Sequence, residues 1–423
     1  MGLSGERAAL ARMGREWLLH GHLQDRVGVP LWLGRGGRQG MEQLAIDEWM
    51  TASPVYSKRM QRLLRFGPAG GGGDGVPDIF KNLQLDIGAP HGFLDFHYRV
   101  DDDRHGQFWL AHCGALMDVE PMGTDFVVGM CHTIEDPTFD ATAGATNRYA
   151  RVRPRHRPPR VPANRHPHCH WTVTVGQAGD WPPAEVHEDL AEMETSPLAQ
   201  LPIPSIGDVA DAGGGGQVDY AGPFDPDFRL EQMAATTLAA ILDEFAHQAH
   251  LLLRAYALAV GRRIGEDDAT RMGHRVVVGQ AALTAERLLR LPDAPGGGAA
   301  ERAAWLFQNH PLFHPRALTD LTVDTDRNRV RLAVRGGHAL EHPDPFTAWA
   351  MIDRFGPEPI AEIARAADRR ATVADDRSVP GEQVAWTIGF DGPPIPEPTE
   401  LALARFSTGA TFDLEAPRPA VRP

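Results

Sequence analysis

Three things are scarce or missing in this chain, and each absence removes a class of protein. Cysteine comes first: Cys113, Cys131 and Cys169 are the only three in 423 residues. An odd number of cysteines without an export signal does not make a disulfide framework, so free thiols or metal ligands are expected. Long apolar runs come second, since none reaches the roughly 18 residues that a membrane-crossing helix needs. The N-terminal MGLSGERAALARMGREWLL carries charges throughout rather than the apolar centre of a signal peptide. Glu6 also stands where a myristoylation site would have Ser or Thr. Excess positive charge is the third absence. A net charge of −14 disfavours nucleic acid and anionic membrane as partners, because both need a basic face. The cytoplasm is the expected compartment.

What is present reads as globular protein. Apolar residues make up 42% of the chain and charged residues 23%, too balanced for a disordered segment. The length exceeds what one hydrophobic core usually serves, which points to two domains. Residues 5–20 and 41–66 have helical spacing, with Leu44, Trp49, Met60, Leu63 and Leu64 recurring in the second. FLDFHYRV (93–100) and GQFWLAHC (106–113), parted by a polar turn beginning DDDRH, form a hairpin signal. A helical stretch around 124–148 follows, then a proline-rich loop, RVRPRHRPPRVPANRHP, and a strand, HCHWTVTV (168–175). Residues 176–228 are acidic and rich in proline, with Gly213 to Gly216 in a row, and are expected to be a linker. From 229 the order repeats: two long helices, a glycine break at 296–298, a hairpin, a helix in PEPIAEIARAAD and a strand in EQVAWTIGF.

That repetition predicts an α+β protein made of two diverged copies, each a helical segment followed by an antiparallel sheet with a packed helix. The copies span 1–175 and 229–392, and a proline-rich tail occupies 393–423. Leu63-Leu64-Arg65 matches Leu288-Leu289-Arg290, Leu110-Ala111 matches Leu332-Ala333, and Trp171-Thr172 matches Trp386-Thr387. On this alignment Cys113 falls opposite Arg335, Cys169 opposite Val384 and His170 opposite Ala385. Cys131 falls opposite FTAWAMID (346–353), which has neither cysteine nor histidine. One copy is expected to do chemistry while the other supports it, covers it or mediates a homodimer.

The first copy concentrates soft donors. Nine of the nineteen histidines lie between 91 and 170, where an even spread gives about four, and all three cysteines lie there too. Thiolate and imidazole together suit zinc, with iron and copper as alternatives, and the metal set is Cys113, Cys131, Cys169, His97 and His168. Strand alternation sets Cys113 and Cys169 on opposite faces of the sheet. Either Gly114 lets Cys113 turn inward, or two groups exist: His97, Cys113, His168 and His170 in one, and His112, Cys131 and Cys169 in the other. The sequence leaves both open.

The runs QFWLAHCGALMDVEPMG, VGMCHTIEDPTFDATAGATN and PHCHWTVTV resemble the L-2-amino-thiazoline-4-carboxylic acid hydrolase family. That family has a cysteine at a strand end, a second a few residues before a helical aspartate, and a third in the last strand. It is distantly similar to the 4-vinyl reductase type of small-molecule-binding domain, an α+β fold whose cysteines can hold zinc. Over residues 40–175 the resemblance implies roles for Cys113, Cys131, Asp136 and Cys169. Here the cysteine-to-aspartate interval is longer, and the final strand has one cysteine flanked by His168 and His170.

The expectation is therefore a metal- or cysteine-dependent hydrolase of a C–N bond in a small molecule. Cys131, Asp136 and His170 are the catalytic candidates: a zinc-bound water or a thiolate attacks, and His170 or Asp136 moves the proton. Arg153, Arg155 and Arg160, in an arginine-rich stretch, are expected to bind an anionic substrate, because guanidinium forks suit carboxylate and phosphate. The competing expectation is a binding or sensor protein with a structural zinc. The glycines of LGRGGRQG (33–40) follow no strand and have the wrong spacing for a dinucleotide loop.

Overall fold

The computed structural model describes residues 6–206, 215–376 and 384–416. The start of the N-terminal helix, Gly213 and Gly214 of the expected linker, the first two residues of the EQVAWTIGF strand and the end of the tail lie outside them.

The first described element is α1 (Arg7–Leu64), which joins the two helices expected at 5–20 and 41–66. The helix runs on through 21–36 and breaks at Gly37, whose φ of 64° suits only a residue without a Cβ. The polar run His22, Gln24, Asp25, Arg26 hides the helical pattern of this stretch. Next come α2 (Val76–Leu83), β1 (Leu94–Val100), β2 (His105–Cys113), α3 (Gly114–Val119) and α4 (Thr124–Val128). A π-helical turn, Gly129–Ile134, leads into α5 (Glu135–Gly144). The copy closes with β3 (Ala150–His156) and β4 (Cys169–Val175). β3 lies in the stretch expected to be irregular. As an edge strand of the order β1-β2-β4-β3 it tolerates Pro154, which a central strand would not.

The connecting segment carries α6 (Leu190–Thr195) and is packed rather than free: Met193, Leu198, Leu201, Tyr220 and Phe228 are buried. The second copy contains α7 (Ala235–Ile264), α8 (Glu266–Leu288), α9 (Ala299–Asn309), β5 (Leu321–Asp326), β6 (Arg329–Val334), α10 (His338–Glu341), α11 (Ala348–Phe355), α12 (Glu358–Ala367), β7 (Thr372–Asp375) and β8 (Val384–Gly389). Its sheet has the order β5-β6-β8-β7, the same antiparallel topology as the first. The tail adds α13 (Thr399–Ala404), which packs on α8 of the second copy and on α1 of the first. No helix among the described residues is long and apolar enough to cross a membrane.

The two copies pair with internal two-fold symmetry. Gly265, at φ 88°, separates α7 from α8 as Gly37 divides α1, and the two glycines are 228 positions apart. The same offset relates Glu16 to Glu244 and Arg59 to Arg287, and each pair crosses between copies. Arg59 meets Glu244 at 2.6 Å, and Arg287 meets Glu16 at 2.6 Å. Gly28 and Tyr256 are also counterparts, and they touch. A Cβ on Gly28 would lie 2.8 Å from the Tyr256 ring, whose hydroxyl donates to the Gly28 carbonyl at 3.0 Å. Residues that meet their own counterparts mark an isologous interface, here within one chain. Strand pairing adjusts one match: Trp171 lies opposite Phe108 and Trp386 opposite Leu332, so Leu332 corresponds to Phe108 rather than Leu110. The counterpart of Cys113 then becomes Gly337, each residue preceding a short helix.

Candidate ligand-binding cavity

The expected cysteine and histidine cluster is split by the first sheet. Phe108, Leu110, Cys169 and Trp171 face inward, where Phe139 of α5 packs on Phe108 and Trp171 at ring distances of 5.3 and 5.0 Å. Cys113 joins them because β2 bulges: Phe96 pairs with Leu110 but Leu94 pairs with Cys113. The extra residue in β2 reverses the alternation beyond Leu110. Cys131 comes from the π-helical turn, and the three thiols and the Glu135 carboxyl lie within electrostatic reach of one another. His97, His112, His168 and His170 lie on the other face. His97 stacks on Trp109, His170 bonds Gln107 at 3.0 Å, His112 stacks on Phe412, and His168 accepts the Cys113 amide at 3.1 Å.

The five expected metal ligands therefore do not share one point. Among the described residues no group of three or more His, Cys, Asp and Glu side chains is arranged to hold a metal ion, so the donors do not fit the expected zinc, iron or copper. The thiols are equally unsuited to nucleophilic attack. Burial, with Glu135 nearby, pushes Cys113 up to about 12 and Cys131 and Cys169 well above the usual thiol range. They sit in the hydrophobic core, the common fate of a free cysteine.

The other expected site residues are also dispersed. Asp136, four-tenths exposed, is held by Arg157 on the outside of α5. His170 is separated from Cys131 by the sheet, and burial lowers it to about 4, so it is neutral at pH 7. The arginines expected to hold an anion are taken by the protein's own groups. Arg153 pairs with Asp140, Arg160 grips Glu120 through two nitrogens at 2.7 and 2.8 Å, and Arg155 bonds Gln107. The arginine-rich stretch is internal scaffolding of the edge strand and its loop.

The structure instead gathers a different set of residues around a cavity of about 650 Å³ between α1, the β1–β2 edge of the sheet, the α3–α5 segment and the C-terminal tail. Interiors close-pack and leave few voids larger than a water molecule. A space of this size falls within the roughly 300–1,000 Å³ of small-molecule sites. Its walls are mainly apolar, with Val29, Leu33, Met41, Trp49, Phe96 and Leu110 among them. The π-helical turn forms one wall through Met130 and Ile134. It can approach α1 because Gly129 has no side chain: a Cβ there would stand 2.3 Å from Glu42 Oε1. The tail closes another side. Ser407 and Thr408 donate to Asp118 at 2.8 and 2.6 Å, which sets Leu403 and Phe406 against the cavity.

A few polar groups interrupt these walls. Asp118 also faces Arg26 at 3.5 Å, and Arg26 donates to His22 Nε2 at 3.0 Å. Burial and Arg26 keep His22 neutral, so its ring proton sits on Nδ1, a buried donor without a partner. Asp25 accepts the Trp49 indole N–H at 3.0 Å and neighbours Glu48. Burial and the Asp25 carboxylate hold Glu48 protonated, and apart from Asp25 neither of its oxygens has a partner. Asp86 receives the Tyr56 hydroxyl and the Gly88 amide on one oxygen at 2.8 and 2.7 Å, while burial raises it to about 6. Glu135 is partly buried in the cavity wall, and its Oε2 is buried without a partner; burial raises it to about 8.

None of these polar groups was among the site residues expected from the sequence. The available signal was polarity at 22–26 and 47–48 inside otherwise apolar helix, which only the burial of both helices makes significant. Compared with protein-family profiles, curated proteins and solved structures, the chain has no match.

Proposed function

We propose that this chain binds a small, largely apolar molecule in the cavity of its first copy. The observation that carries this reading is the combination of volume and unmet polarity. Apolar walls enclose some 650 Å³, and the buried His22 Nδ1 and Glu135 Oε2 among the lining residues have no hydrogen-bond partner in the protein. Buried polar atoms are normally paired, and an unpaired one costs about 1–3 kcal/mol, which a ligand could recover. Nile red, a neutral apolar dye, tests the reading. Saturable one-to-one binding is expected, and it should vanish in Ala45→Trp, which fills the cavity, while the circular dichroism stays unchanged. No saturable binding, or binding indifferent to Ala45→Trp, would refute it.

Glu135 favours a second reading, in which the bound molecule is also transformed. A carboxyl poised at about 8 in an apolar wall can give or take a proton near neutral pH, the requirement for a general acid or base. Hydrolysis of a C–N bond would then run through Glu135 and a water rather than through Cys131, Asp136 and His170. Glu135→Gln should abolish such turnover and leave Nile red binding intact; turnover that survives removes Glu135 from the chemistry.

A further inference from the structure

The balance of charge around the cavity narrows the class of ligand. Among the described residues Arg26 is the one cationic side chain lining it, and Asp118 and His22 already engage its guanidinium. Against it stand Asp25, Asp86 and Asp118 as carboxylates, with Glu135 protonated at neutral pH. Asp118 is matched by Arg26 and by the Ser407 and Thr408 donors. Among the described residues Asp25 and Asp86 have no basic partner: Asp25 accepts from Trp49 and lies beside Glu48, and Asp86 accepts from Tyr56 and Gly88.

These two carboxylates share one corner. Trp49 donates to Asp25, and its ring edge lies beside Gly88, two residues after Asp86, where an added Cβ would be 3.1 Å from both. Phe96 contributes a second aromatic wall. Carboxylates beside aromatic rings form the environment that stabilises a positively charged nitrogen. An anion would meet uncompensated negative charge with no free guanidinium to offset it. Glu48, fully buried with oxygens unmatched except by Asp25, adds a second carboxyl behind the first.

We propose that the ligand is a mostly apolar amine, whose ammonium group is held at the corner formed by Asp25, Asp86 and Trp49. This rests on the binding reading above and reverses the anionic substrate expected from the arginines.

Three molecules of one shape separate the two ideas: naphthylmethylamine, the matching naphthyl alcohol and the matching naphthoate, each titrated calorimetrically into the full chain. The amine should bind at least about tenfold more tightly than the alcohol, and the naphthoate most weakly, as charge-assisted contacts require. Asp25→Asn should bring the amine close to the alcohol while leaving the alcohol unchanged. Asp86→Asn tests the second carboxylate in the same way, and the wild-type ranking stands even if that variant fails to fold. An alcohol that binds as well as the amine, or a naphthoate that binds best, overturns the amine and leaves the cavity as a binding site. If none of the three binds and Nile red also fails, both ideas fall.

Discussion

The two copies keep the same skeleton and differ where the cavity is. Counterparts 228 positions apart preserve the bridging pairs: Glu16 with Glu244, Arg59 with Arg287. An inner pair recurs with a two-residue shift of the acid: Arg254, 228 positions after Arg26, meets Asp344, 226 positions after Asp118, at 2.6 Å, as Arg26 meets Asp118. Of the cavity groups, His22 and Arg26 keep counterparts in His250 and Arg254, but the carboxyl corner is not preserved. Asp25, Glu48 and Trp49 correspond to Leu253, Val276 and Val277, all buried and aliphatic. Buried carboxyls are costly and aliphatic residues are not. The second copy thus shows what these positions become when stability alone is served. The first retains an arrangement that stability would not select, as functional sites often do.

The largest expected effect tests the symmetry. Glu16→Ala and Glu244→Ala each leave a buried guanidinium unpaired, and each should cost about 3–5 kcal/mol in denaturant unfolding. If the copies are equivalent at the interface, the two values should agree within about 1 kcal/mol. A large difference would mean that the interface is not shared equally.

Making the first copy resemble the second comes next. The double variant Asp25→Leu, Glu48→Val should be more stable than the parent by about 1–4 kcal/mol, because aliphatic residues replace a buried carboxyl pair. It should also lose selectivity for the amine. A destabilised variant that still prefers the amine would separate these carboxyls from the site.

Glu135 gives a smaller effect, with a pH signature. Its carboxyl rises from 4.5 to about 8 on folding, so the folded protein holds this proton more tightly than the unfolded chain. The resulting stability is present below pH 4.5 and is lost as pH rises towards 8. Glu135→Gln removes that loss, and at pH 8 it should exceed the wild type by about 1–3 kcal/mol, measured as denaturant midpoints across pH. A parallel pH profile in the two proteins would contradict the raised carboxyl.

The thiols should show the least. Held protonated inside the core, Cys113, Cys131 and Cys169 should react with Ellman's reagent only on unfolding, and Cys113→Ala should leave Nile red binding unchanged. Rapid labelling of any one in the folded protein would return the thiols to the list of reactive groups.

Local patterns were enough to reveal the duplication, the hairpins and the inward face of the last strand. Apolar periodicity and turn residues act over a few positions, and both copies carry them. They also drew notice to the half of the molecule where the cavity lies, through the asymmetry of Cys131 and Cys169. Which chemical groups meet there was a tertiary matter. One extra residue in β2 moved Cys113 across the sheet, and nearby acids claimed Arg153 and Arg160. Packing of α1 beneath the π-helical turn turned an unremarkable run of His22, Asp25 and Arg26 into the lining of a pocket. A charged residue on a solvated helix and one in a buried wall have the same letter. Only the fold decides how much water each keeps, and desolvation sets both its charge and its use.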